Sequence, residues 1–212
     1  MNKDTVNDNR AHSNKYYLIF FKQHTKTNTM NTMKNLFLLA IVSLATTVSF
    51  AQKAPVVGGA AMYPTKNIIE NAVNSKDHTT LVAAVKAAGL VETLSSAGPF
   101  TVFAPVNAAF DKLPAGTVES LLKPESKAAL TGVLTYHVIS GKFSAAAVKA
   151  AIKAGGGKFV AKTVAGGELI FTAKGKKIII TDANGGVANV TIADVNQSNG
   201  VIHVIDKVLL PK

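Results

Sequence analysis

Beyond residue 51 the chain carries three imidazoles, His78, His137 and His203, and the whole sequence has no cysteine. These are the side chains able to exchange a proton near neutral pH. A zinc-type site needs ligands three to five residues apart, and none of the three histidines has another at that spacing or an acidic cluster beside it. No metal site is expected. A nucleophile elbow requires Gly-x-Ser-x-Gly on a strand–turn–helix, which the sequence does not contain, and Gly155-Gly156-Gly157 leads into a strand pattern instead of the helix that a phosphate loop opens. The residues therefore predict neither an enzyme nor a cofactor.

His137 follows Leu130, Val133 and Leu134 at helical spacing, so the histidine points where the leucines point. A histidine on an apolar face is expected to be buried with its ring nitrogens satisfied, because stranding such a group costs about 1–3 kcal/mol. Asn107, in the proline-containing turn after Phe103 and Pro105 and ahead of Phe110 and Leu113, is the expected partner. His203 is expected to be structural too. Asp194-Val195 falls between a strand and the Asn199-Gly200 turn, where an aspartate ordinarily bonds its own backbone. Asn189-Val190-Thr191 and Asn196-Gln197-Ser198 fit the glycosylation acceptor pattern.

Helices dominate the first half of the elements that must hold these residues. Thr79 or Thr80 can cap a helix in which Leu81, Ala84, Val85 and Ala88 recur, with Gly89 as its stop. Pro124 opens another, Ser144 caps an alanine-rich third, and Phe100 to Ala104 is a short strand between prolines. The second half changes period. Lys158–Thr163, Glu168–Thr172, Lys176–Thr181, Val187–Ile192 and Val201–Leu209 are β-branched or alternating, with glycine-bearing turns between them. The last of these is a near-continuous apolar run, interrupted by His203, Asp206 and Lys207, and reads as a strand covered on both faces. Helices followed by meandering strands predict an α+β domain, its helices packed on an antiparallel sheet or wedge.

Lys34 to Ala51 has a lysine, an apolar stretch from Leu36 and then Ser49-Phe50-Ala51, the layout of a secretory signal peptide cut between Ala51 and Gln52. Either Met30 or Met33 can be the true start. Residues 1–51 are thus expected to be leader, 52–66 an N-terminal lead-in and 67–212 the domain. Removing the leader takes the formal charge from +11 to +7 and removes Arg10, the one arginine. A surface whose cations are all lysines lacks the planar fork that reads phosphates and bases, so nucleic acid is not an expected partner. Anionic polysaccharide fits such a surface better, with membrane contact peripheral at most.

Three blocks, Gly98 to Phe110, Tyr136 to Ile139 and Asn199 to Pro211, resemble the signature blocks of the fasciclin-like domain, a family of extracellular and cell-surface modules associated with adhesion. The resemblance runs from about Asn67 to Pro211. It implies structural roles for Phe103, Pro105, Asn107, Phe110, His203 and Asp206, and it links Tyr136 and His137 to partner binding. Asp194 and Val195 match in position a short aspartate–aliphatic motif that animal relatives are thought to present to integrins, although Ile192-Ala193 replaces its usual context. Val106 stands where the family has a hydroxyl residue, which puts the cap of the following helix in question. The implied function is a secreted or periplasmic, non-enzymatic adhesion module, monomeric, recognising an extracellular or envelope protein or polysaccharide. A carrier of a lipid or small apolar ligand in the helix–sheet wedge is the alternative.

Overall fold

The computed structural model describes residues 54–212, so the leader and the signal-peptide cut lie outside the described residues. A seven-stranded sheet has the order β4-β3-β9-β8-β7-β6-β5, built from β3 (Phe100–Pro105), β4 (Val138–Ser140), β5 (Lys158–Lys162), β6 (Glu168–Lys174), β7 (Lys177–Thr181), β8 (Val187–Gln197) and β9 (Gly200–Ile205). All neighbours are antiparallel except β3 and β9, which run parallel from Phe100↔Gly200 to Pro105↔Ile205. In the lead-in, β1 (Val56–Val57) pairs with β2 (Ala60–Ala61).

Helices α1 (Ile68–Ala72), α2 (Thr79–Ala88), α3 (Val91–Ser95), α4 (Asn107–Phe110), α5 (Thr117–Leu121) and α6 (Lys127–Tyr136) precede the meander, with α7 (Ala145–Ala154) between β4 and β5. The expected α+β architecture is present. Gly89 ends α2 at φ 74°, a left-handed cap that other residues adopt at a cost. Ser144 caps α7 by accepting from the Ala147 N–H. Proline does not start α6 itself; it opens a 3-10 turn, Pro124–Ser126, that feeds it.

The alternation of the two central strands divides the core. Val102, Ala104, Ile202 and Val204 face the helices α1, α2 and α6, whereas Phe103 and Ile205 face α7 and the inner side of the meander. Every residue of β9 is buried, which is why the sequence there shows no polar alternation. At its start, a Cβ on Gly200 would sit 2.2 Å from the Phe100 carbonyl oxygen, so only glycine lets the parallel strands meet there.

Candidate functional site

Tyr136 ends α6 with 0 % of its surface exposed and His137 follows at 3 %. The Tyr136 hydroxyl donates to the Glu168 carbonyl at 2.7 Å and accepts from the Ala183 N–H at 3.0 Å, tying α6 to the meander. Burial raises the pKa of this phenol. His137 lies 2.8 Å (Nδ1) from the Val133 carbonyl, while its Nε2 accepts from the Leu209 N–H at 3.0 Å. Those partners require a neutral ring with its proton on Nδ1. Burial, only partly opposed by Val133, depresses its pKa to about 4.

This geometry corrects the expected partnership with Asn107. The Asn107 amide accepts from the Thr80 N–H and donates to the Lys76 carbonyl and Thr79 hydroxyl, so it fastens the start of α2. Val106 provides no side-chain cap, and α4 is only four residues long.

His203 is 1 % exposed, stacks on Phe103 with ring centroids 5.7 Å apart and takes up both nitrogens internally. Its Nε2 lies 2.8 Å from the Phe143 carbonyl and its Nδ1 accepts from the Asp194 N–H at 3.3 Å. Asp194 sits in an irregular stretch of β8 at φ 58°, the one non-glycine residue with positive φ among those described. Its carboxylate does not make the expected bond to its own turn; it accepts from the Ala145 N–H at 2.7 Å, at the first turn of α7. Val195 is buried at 1 % exposure. Tyr136 and Val195 are thus spent on the interior and do not offer the partner-binding side chains that the resemblance links to them, while His137 is buried with both ring nitrogens bonded, as its helical spacing predicts.

Replacing Asp194 by alanine should therefore lower stability by about 1–3 kcal/mol, by stranding a helix-start N–H and leaving alanine at a positive φ. Thermal melts check this. An unchanged melting temperature would return the carboxylate to the role of a free surface group.

Several internal anchors were not legible as such in the sequence. Asn199 accepts from the Ile68 N–H and donates to the Leu94 and Ser96 carbonyls. Asp182, 5 % exposed, accepts from the Asn184, Gly186 and Leu210 N–H groups. The Ser75 hydroxyl lies 2.8 Å from His78 Nδ1, the nearest approach to a nucleophile–base pair, but Ser75 and His78 are 3 % and 4 % exposed. Among the described residues no group of three metal-binding side chains converges.

What the surface does offer is a 460 Å³ cleft where α7 meets the start of β7 and the middle of β8, lined by Lys149, Lys176, Lys177, Asn189 and Thr191. Asp206 also lines it, its carboxylate accepting from the Asn189 N–H at 2.7 Å and side-chain amide at 2.8 Å. Burial opposes ionisation of Asp206, but the Asn189 bonds and nearby Lys112 overcome it, so its pKa falls below the ordinary carboxylate value.

The fasciclin domain family model matches residues 76–211. A Synechocystis protein, sll1483, is 51 % identical over 160 residues, covering 76 % of this chain and 82 % of the relative. The immunogenic protein MPB70 of Mycobacterium bovis is 37 % identical, covering 66 % of each chain. The cell surface glycolipoprotein MPB83 of the same species is 31 % identical, covering 74 % of this chain and 60 % of the relative. In fold, the protein is similar to the FAS1 domain pair of the insect cell adhesion molecule Fasciclin I, with a TM-score of 0.59 at 19 % identity over 68 % of this chain and 51 % of that one. The block residues quoted from the sequence, the helix-on-sheet architecture and the family match agree, and the chain belongs to the fasciclin domain family.

Proposed function

We propose that the protein is a secreted or cell-surface, non-enzymatic adhesion module that recognises anionic polysaccharide through the lysine-lined cleft. The observation that carries this reading is the cleft itself, lined by Lys149 of α7, Lys177 of β7 and Lys176 of the turn before it around polar Asn189 and Thr191, with the one carboxylate, Asp206, already bonded by Asn189. Relatives named as a cell surface glycolipoprotein and an adhesion molecule support the location. The histidines support the absence of catalysis, because His137 and His203 commit both ring nitrogens to backbone groups.

Exposed lysines attract a polyanion through water and are screened by salt, so one cleft binds weakly and many together bind well. Beads coated with the protein should retain a carboxylated or sulfated polysaccharide and release it in high salt, while the monomer in solution retains little. Lys149→Glu, Lys176→Glu and Lys177→Glu combined should cut retention at least about tenfold without lowering the melting temperature, since each lysine lies on the surface. Retention unchanged by the triple substitution would refute the cleft as the site. Equal retention of a neutral polysaccharide would refute the ligand class.

A further inference from the structure

An antiparallel sheet with one side packed on a core ordinarily turns polar residues outward, and the meander of β5 to β8 departs from that rule. Its inward residues, Leu169, Phe171, Ile178, Ile180 and Ala188 among them, pack in the half of the core shared with α7. Aliphatic side chains stand on the outward side too. The register sets Val160 opposite Ile170, Ile170 opposite Thr181 and Thr181 opposite Val187, so one row of β-branched residues crosses four strands. Val160 and Val187, at its two ends, are 41 % and 47 % exposed. A second row, Lys158, Thr172, Ile179 and Asn189, runs beside it.

Cations frame these rows. Lys158 and Lys162 flank Val160 on β5, and Lys174 stands directly opposite Lys177 where β6 turns into β7, a like-charge pair that an anionic partner relieves. All four are exposed. Glu168, opposite Lys162, is the one carboxylate among the outward residues of the four strands, and Asp206, which borders the face at Asn189, is bonded by that residue. The face is positive at its rim and aliphatic along its middle. A second copy of the chain fits it poorly, because two lysine rims would meet and antiparallel pairing of two β5 edges about Val160 would set Lys158 against Lys162. The rows also hold no aromatic ring on which a sugar or a base could stack, since Phe159 and Phe171 point into the core. An anionic bilayer offers what remains, phosphates for the ammonium groups and an apolar boundary for the valines.

We propose that the outward face of β5 to β8 docks on the surface of an anionic lipid bilayer, with Val160 and Val187 at the depth of the headgroups and Lys158, Lys162 and Lys174 against lipid phosphates. β-Branched side chains have little rotamer freedom to lose on contact, and lysine stems lie along apolar surface while their ammonium groups stay in the polar layer. Binding of this kind grows with the apolar area buried and with charge, and salt screens the second part. The contact is peripheral. It stands apart from the polysaccharide reading, because the face meets the cleft at Lys177 and Asn189 while Lys158, Val160, Lys162 and Val187 lie outside it.

A chain without cysteine makes the contact readable at single positions. Val160→Cys and Val187→Cys, each carrying a nitroxide label on the full chain, should become shielded from a water-soluble relaxation agent when vesicles of phosphatidylglycerol and phosphatidylcholine are added, and high salt should reverse the shielding. A label at Val73→Cys, exposed at the end of α1, should stay accessible throughout. Vesicles of phosphatidylcholine alone should shield none of the three. In the Val187→Cys chain, Lys158→Glu with Lys162→Glu should raise the lipid concentration needed for shielding at least about tenfold, while polysaccharide retention through the cleft is unchanged. Labels at Val160→Cys and Val187→Cys that stay accessible while the chain sediments with vesicles would overturn the proposal, as would equal shielding by phosphatidylcholine alone. Loss of polysaccharide retention in the lysine double variant, with no shielding by vesicles in the natural background, would assign the face to polysaccharide instead.

Discussion

Lowering the pH from 7 to 4.5 should destabilise the protein by about 2.5 kcal/mol through His137, well before carboxylate protonation dominates. His137 titrates near 4 when folded and near 6.5 when unfolded, a gap of about 2.5 units at about 1.4 kcal/mol each. Between those values the unfolded chain binds the extra proton. Stability therefore rises with pH through this window, is complete above about 6.5, and is lost as pH falls towards 4. Burial lowers the pKa of His78 and His203 in the same direction, so both steepen the loss. Asp206, whose pKa is lowered from 3.8, acts only below the window.

The geometry states why the cost is paid. A proton on His137 Nε2 would point at the Leu209 N–H that now donates to it. Urea unfolding at a series of pH values measures the slope, and His137→Gln, which keeps an acceptor for Leu209 without a titrating group, should flatten it. A stability constant from pH 7 to 4.5 would mean that the ring is already charged or reaches water.

How much of this could be read beforehand differs by the range of the interaction. Periodicity exposes local elements, so β5, β6, β7, the Gly89 stop and the Ser144 cap are legible within a residue or two, whereas β8 runs five residues beyond the expected Ile192 and β9 ends at Ile205, four residues before the expected Leu209. The burial of His137 follows from its spacing after Leu130 and Leu134. Its partner does not, because Leu209 is 72 residues away and contributes a backbone N–H, which any residue type could supply. Asn107 was a natural choice on type and instead bonds residues 27 to 31 positions earlier. The strand carrying Asp194 extends to Gln197 through two irregularities of register, and polar Asp194 and Asn196 hide that continuation from the alternation rule. The lysines of the cleft were visible only as net charge, since Lys149 and Lys176 meet through the tertiary fold.

Asn199 gives the sharpest case and the largest single-residue effect expected. Beside glycine it reads as a turn signal, yet it is 9 % exposed and its amide makes three bonds to backbone groups 103 to 131 residues away. It holds the first N–H of α1 and the last carbonyls of α3 to the turn between β8 and β9, groups that helix termini otherwise leave without partners. Asn199→Ala strands one donor and two acceptors at once, at about 1–3 kcal/mol for each that water cannot reach, and should cost about 3–5 kcal/mol in total. For a chain of this size that is a fall in melting temperature of roughly 6–20 °C. The loss should also be uneven. Hydrogen exchange should accelerate first in α1 and α3, while α7 and the meander, which pack in the other half of the core, keep their protection. Asn199→Asp, able to accept from Ile68 but unable to donate to Leu94 and Ser96, should fall between alanine and the natural residue. A melting temperature within a degree or two of the natural protein for Asn199→Ala would show that the helices are held by apolar packing alone, and that the amide records the fold without stabilising it.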